Sequence, residues 1–151
     1  MQRRRKLNVG CGNDYRDDFW NIDIGECKSD EQVDIAKELP FEDDFFDMVF
    51  AQHVLEHIPK ESFFKIFKEI HRVMAKGAIL EFIVPIAGSD NFWTDPTHTM
   101  PFTTRTMDFF IKDKPLRENG VIYGVNCEFI EVSPPEFVDQ VGSLKFLLEK
   151  A

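Results

Sequence analysis

Apolar residues along the chain gather in short runs, with one long stretch of helical spacing among them. Runs at residues 6–10, 21–24, 46–51 and 78–84, and a weaker one at 32–35, read as strands. Later runs at 121–132 and 143–149 read the same way. Between them, Phe63, Ile66, Phe67, Ile70, Val73 and Met74 recur three and four residues apart, which places them on one face of a helix over residues 59–76. Pro59 suits its first turn and Gly77 a left-handed cap at its end. A second, shorter helix is expected to start with Thr103 as its cap and to bury Met107, Phe110 and Ile111. Strands separated by helical or turn-rich crossovers predict an α/β fold with a mostly parallel sheet and flanking helices. Ligands in such sheets sit beyond the carboxyl ends of the strands. That rule draws the turn at residues 10–13, Asp23, Asp34 with Ile35, residues 52–57 and the loop after Pro85 to one rim.

Composition changes the picture mainly by exclusion. The 151 residues, 43% hydrophobic and 30% charged, suit a single domain with a real core. A formal net charge of −9 argues against nucleic acid as a partner. The one basic cluster, Arg3-Arg4-Arg5-Lys6, reads as a solvated lead-in over residues 1–5. No apolar run approaches the ~20 residues of a membrane span, because Glu81 interrupts the longest, and the N-terminus has no apolar leader core. No membrane association is therefore expected. Cys11, Cys27 and Cys127, odd in number and without metal spacing, fit a reducing cytoplasm.

The first candidate chemistry is a glycine loop. Gly10 and Gly12 follow the first strand and let a ligand approach the backbone closely. Tyr15 occupies the place of a third glycine, and Asp23 comes too soon for the ribose acid of a dinucleotide fingerprint, so a nicotinamide or flavin site is disfavoured. No Gly-Lys-Ser/Thr follows, which excludes a P-loop. Asp23, ending the second strand, is placed to accept both hydroxyls of a ribose. Asp34 is placed to accept from an adenine amine, with Ile35 against the ring. Those roles describe a nucleoside without phosphates.

"LNVGCGN", "NIDIG", "VDIAKELPFEDDFFDMVFAQHVLEHI" and "FKEIHRVMAKGAILEFIVP" together resemble a class I S-adenosylmethionine-dependent methyltransferase, within the small branch marked by "HVLEH". The later "DPTHTMPFTTRTMDFF" resembles that branch as well. The resemblance implies a Rossmann-like sheet, a shortened connection between the first two strands and an antiparallel C-terminal strand. It also implies a single domain over 1–151, with a cofactor-binding half at 6–85 and an acceptor-side half at 86–151. S-adenosylmethionine would be the cofactor and S-adenosylhomocysteine the product. Matched motif by motif, Gly10, Cys11, Gly12 and Asn13 would surround the methionine moiety. Asp23 and Ile24 would meet the ribose, Asp34 and Ile35 the adenine, and Gln52 and His53 the cofactor at the exit of the fourth strand. "MAKGA" departs from the usual Pro-Gly-Gly turn, and the chain after Phe110 matches poorly.

Two features carry further chemistry. His53-Val54-Leu55-Glu56-His57 fits H-x-x-E-H, in which two histidines on one helix face can hold zinc with the glutamate as base. The expected reading is instead that His53 faces the active site while Glu56 and His57 fix the local structure, with no metal; His71 reads as a surface residue. In the aromatic, turn-rich segment 91–104, Phe92, Trp93, Asp95 and His98 are candidates for acceptor recognition, and His53 and His98 for the general base. The expected activity is methyl transfer to a small-molecule acceptor by in-line displacement. The alternatives are a non-catalytic module binding the same cofactor or its product and, behind it, a zinc-dependent hydrolase. Oligomeric state is open at this stage.

Overall fold

The apolar run at residues 7–9 forms β1 (Lys6–Val9) in the middle of a sheet, within a computed structural model that describes residues 5–151. Around it lie β2 (Trp20–Asp23), β3 (Glu31–Gln32), β4 (Phe46–Gln52), β5 (Met74–Pro85), β6 (Phe129–Phe137) and β7 (Ser143–Lys150). Their spatial order is β3-β2-β1-β4-β5-β7-β6. Every pairing from β3 to β5 is parallel, and β7 runs antiparallel to both β5 and β6. The expected α/β sheet and its antiparallel C-terminal strand are therefore present.

The two faces of the sheet are covered differently. On one, Val9, Ala51, Phe82 and Phe146 form a row across neighbouring strands. Helix α1 (Phe63–Val73) lays Phe63, Ile66, Phe67, Ile70 and Val73 on that face, with the Phe67 and Phe82 rings 5.6 Å apart. On the other face Asn21, Asn8 and Phe50 stand side by side, and no helix connects β1 to β2. The ten-residue loop there is held by buried amides instead. Asn8 Nδ2 donates to Asn21 Oδ1 (3.0 Å) and to the Asp14 carbonyl (2.7 Å), while Asn21 Nδ2 donates to the Arg16 and Phe19 carbonyls. The Arg16 guanidinium lies 3.8 Å from the centre of the Phe50 ring and closes the face.

Several expected boundaries move. The helix over 59–76 is a 3₁₀ turn (Lys60–Ser62) followed by α1, which stops at Val73. Its last carbonyls, of Arg72 and Val73, accept from the Asp44 and Phe45 amides at 2.9 Å, so it needs no glycine cap. Met74 opens β5, and Gly77 (φ +76°) lies inside that strand at its irregular start opposite β4. The helix capped by Thr103 is a 3₁₀ turn, Thr106–Phe109, although Met107, Phe110 and Ile111 are buried as expected. The run at 121–132 divides into α3 (Arg117–Ile122) and β6; Gly120 lets α3 close on the Phe109 carbonyl, where a Cβ would collide. The strand at 32–35 is only Glu31–Gln32, because Asp34 Oδ1 accepts from the Ala36 amide and turns the chain.

Residues 1–4 of the expected basic lead-in lie outside the described residues. Arg5 is exposed, and its guanidinium forks onto both carboxylate oxygens of Asp47 at 2.6 and 2.8 Å. His71 is no simple surface residue. Its Nε2 sits 3.1 Å from the Glu128 carbonyl and its ring packs edge-on against Phe129. No helix among the described residues is long and apolar enough to cross a membrane.

Candidate active site

Two cavities open side by side at the carboxyl ends of the parallel strands. The larger, about 540 Å³, lies over the ends of β1 and β2. Gly10 and Gly12 line it, both with positive φ (63° and 47°). A Cβ on Gly10 would run into Val54, whose Cγ1 would stand 2.8 Å away, so the glycine is required by packing as well as by backbone conformation. Asp23 stands at the end of β2 with its carboxylate tied down, Oδ2 by the Gly12 amide (2.8 Å) and Oδ1 by the Gly25 amide (2.7 Å). Each oxygen keeps a lone pair for a ligand hydroxyl. Ile24, Asp34 and Ile35 stand on the same wall.

Three expected cofactor residues lie off the cavity wall. Cys11 is buried, its thiol directed at the Lys28 carbonyl (3.5 Å), and Asn13 and Gln52 are exposed. Burial, then Cys27 and Asp23 nearby, push the Cys11 thiol up to about 12, so it is not a free thiolate nucleophile at neutral pH. The residues missed are Val33, Ala36, Val54, His57, Ile58 and Pro59. They are mostly apolar, and a sequence reading that searches for polar chemistry passes over such a wall.

His53 is where the two cavities meet. Its amide donates to the Ile83 carbonyl (2.9 Å), adding one rung to the β4–β5 ladder. The backbone then turns sharply at φ +54°, a strained conformation for a residue with a Cβ. This turn leaves only a 3₁₀ turn, Leu55–His57, where H-x-x-E-H was read as helix, so His53 and His57 do not share a helix face. Both nevertheless line both cavities. The Glu56 carboxylate, 3.4 Å from His53 Nδ1, holds that imidazole above its ordinary pKa against the opposing effect of burial.

The second cavity, about 360 Å³, is closed by the segment after β5. That segment includes α2 (Asp90–Thr94), whose cap Ser89 accepts from the Phe92 amide. The Glu56 carbonyl accepts from both the Thr99 and Met100 amides at 2.9 Å, which brings His98 against His57 with ring centres 4.6 Å apart. Asp95 and His98 line this cavity. Phe92 and Trp93 do not: Phe92 is 2% exposed in the core, and Trp93 is 71% exposed. Glu56, Asp139 and Ser143 line it without having been anticipated, since they come from three separated segments.

The larger cavity fits S-adenosylmethionine: an anchored carboxylate, an apolar wall, room for a nucleoside-sized ligand and a glycine cradle that a Cβ would fill. The methyltransferase-domain family matches residues 7–82, half of the chain. No curated protein matches the sequence. Among solved structures, a SAM-dependent methyltransferase of Archaeoglobus fulgidus is 18% identical at a TM-score of 0.64, over 99% of this chain and 87% of that one. A second, from Methanosarcina mazei, is 15% identical at a TM-score of 0.62, over 96% and 91%. A chain from the Haloferax volcanii complex of the Trm112 methyltransferase activator with a methyltransferase is 12% identical at a TM-score of 0.63, over 96% and 81%. At these identities the likeness speaks to the fold, and the family match speaks to the cofactor. The chain belongs to the methyltransferase-domain family, with the fold of a class I S-adenosylmethionine-dependent methyltransferase and that molecule as its cofactor.

Proposed function

We propose that the protein methylates a small-molecule acceptor held in the second cavity, with His53 at the junction. The observation that carries this reading is that the two cavities share His53 and His57 as a common wall. In the larger one, Asp23 accepts the ribose hydroxyls, Asp34 accepts from the adenine amine, Ile24 and Ile35 pack beside them, and the backbone at Gly10 and Gly12 receives the methionine part. Bound there, S-adenosylmethionine supplies a methyl group on a sulfonium, for in-line displacement by a nucleophile. The chain's own task is then alignment and exclusion of water, and alignment alone contributes on the order of 7–11 kcal/mol to such a step. Where the acceptor carries a proton, His53 takes it. Its Nδ1 faces Glu56, so in the neutral ring with Nδ1–H toward that carboxylate Nε2 is the nitrogen free to accept. The size of the second cavity favours a metabolite over a macromolecule, as does the net charge of −9 over a nucleic acid.

Calorimetry with S-adenosylhomocysteine tests the cofactor half. Asp23→Ala removes two charge-assisted hydrogen bonds of about 1.5–3 kcal/mol each, so affinity falls by roughly a hundred- to ten-thousand-fold. An unchanged Kd would remove Asp23 from the site. Screening a metabolite panel for turnover tests the acceptor half: Val141→Trp, which fills the second cavity from an exposed position, abolishes turnover and leaves S-adenosylhomocysteine affinity unaltered. Full turnover in that variant would place the acceptor elsewhere. Cofactor binding without turnover of any acceptor would favour a non-catalytic module.

A further inference from the structure

Glu56 is 1% exposed, yet only one of its carboxylate oxygens is engaged. Three histidine nitrogens converge on Oε1: His53 Nδ1 at 3.4 Å, His98 Nε2 at 3.9 Å and His57 Nε2 at 4.0 Å. Oε2 has no partner. Among the described residues, three buried side-chain polar atoms lack a hydrogen bond, and two of them, Glu56 Oε2 and Ser143 Oγ, belong to residues lining the second cavity. A buried carboxylate oxygen left in this state costs free energy unless something absent from the chain itself completes it.

The outer contacts of the two rings bear on the same carboxylate from the side of Oε1. His98 Nδ1 lies 2.7 Å from the Phe92 carbonyl, which can only accept, so Nδ1 carries the proton and Nε2 presents a lone pair. His57 Nδ1 lies 2.9 Å from Thr97 Oγ1. The Thr97 hydroxyl spends its own proton on Asp95 Oδ1 at 2.6 Å, so it accepts from His57 Nδ1–H, and His57 Nε2 too presents a lone pair. Each imidazole is thus fixed by an Nδ1–H to an oxygen behind it, and in its neutral form turns a bare Nε2 toward Oε1 of one buried carboxylate. Metal-ligating histidines are oriented by outer hydrogen bonds of this kind. Asp95 Oδ2, 3.6 Å from His98 Nε2, adds a further oxygen at the edge.

We propose that Glu56, His57 and His98 bind a divalent transition-metal ion of the zinc class in the second cavity. The three donor atoms lie within 4.8 Å of one another. Bonds of about 2.0–2.1 Å in a tetrahedral site set donors about 3.3 Å apart, a contraction that small side-chain rotations supply. Two histidines and one glutamate leave a fourth position open, here toward the cavity and available to water or to an acceptor heteroatom; that last use rests on the acceptor reading above. The ligand set is not the H-x-x-E-H pair, because the donors that lie within this span of one another include His98, from the loop after α2, in place of His53. A second cluster, Cys11, Asp23 and Cys27, offers donors within the same span. There the Cys11 thiol is directed at the Lys28 carbonyl and Asp23 is already engaged by two amides, so no donor is left without a partner as Glu56 Oε2 is.

Cobalt(II) titration of the metal-stripped full chain, followed by visible absorption, tests this apart from any activity. The expected result is one ion per chain with the intense visible bands of a four-coordinate site and no thiolate charge-transfer band. Glu56→Gln and His98→Ala abolish the bands. Thr97→Val, at an exposed position, leaves the ligands in place but weakens binding ~10–100-fold by freeing the His57 ring. S-adenosylhomocysteine affinity, measured on each variant, reports that the fold and the neighbouring cavity persist. Failure of the wild-type chain to take up cobalt or zinc overturns the proposal, as does uptake that all three variants retain. A thiolate band lost in Cys27→Ser would move the metal to the other cluster.

Discussion

The two cavities are neighbours built on opposite plans. The larger is made by backbone and by residues close in sequence to their strands: a glycine turn after β1, an acid ending β2, and a turn after β3. Its polar groups are satisfied without a ligand, Asp23 by two amides and Asp34 by a third. The smaller is made by side chains from the end of β4, the segment around α2 and the start of β7, and it holds two buried polar atoms with no partner. One is a preformed receptacle whose stability is local, and the other is an incomplete polar cluster held open by the rest of the fold. The proposed division of labour follows that contrast: binding a cofactor needs only a preformed receptacle, whereas chemistry on an acceptor needs groups left reactive.

The largest effect expected from breaking this contrast is at the glycine turn. Gly10→Ala meets both a positive φ and the branched Val54 side chain. Strain of about 1–2 kcal/mol from the left-handed backbone adds to about 1–3 kcal/mol of overpacking. Urea unfolding should therefore show a loss of about 2–5 kcal/mol, and S-adenosylhomocysteine binding should vanish. Gly12→Ala is the paired control, since nothing lies within 4 Å of its Cβ position. It should cost only about 1–2 kcal/mol, from backbone strain alone, while still impeding the ligand. Equal losses in the two variants would show that Val54 yields and that packing does not fix the turn.

Glu56→Gln should act in the opposite direction on the metal-free protein. A neutral amide of the same shape relieves an incompletely paired buried charge, so unfolding free energy should rise by roughly 1 kcal/mol while cobalt binding is lost. A destabilised variant would mean that the histidines around Glu56 already satisfy it, and the contrast between the cavities would narrow.

What the sequence makes legible follows the same division. The glycine turn, Asp23, Asp34 and the strand ends are readable because each is set by its immediate neighbours, and period and motif both report local order. The α1 boundary is misplaced because the cap comes from Asp44 and Phe45, nearly thirty residues away, rather than from Gly77. Glu56 passes as a local structural residue because its meaning depends on His98, forty-two positions later, and on a backbone turn at His53 that no propensity predicts. Trp93 draws attention as an aromatic in a loop, yet burial, which depends on the whole fold, puts Phe92 inside and Trp93 outside.

The smallest effect supplies the reference for the histidines themselves. His71 sits where helix α1 meets the strand β6, away from both cavities, and burial first, then nearby Lys150, hold its pKa below the ordinary value. His53, with the Glu56 carboxylate beside it, is shifted the other way. For His71 the folded chain binds its proton less readily than the unfolded chain, whose histidine titrates near ~6.5. As pH falls through that value the unfolded state gains a proton that the folded state refuses, so stability falls, and the loss ends only once His71 protonates in place. The folded ring donates its Nε2–H to the Glu128 carbonyl, a bond that Gln can keep without titrating. Urea midpoints of the wild type and His71→Gln, compared at about pH 7.5 and about pH 5.5, should therefore show a slightly shallower acid loss in the variant. A steeper loss would mean that His71 is protonated in the fold, and that its apolar setting does not separate it from the histidines around Glu56.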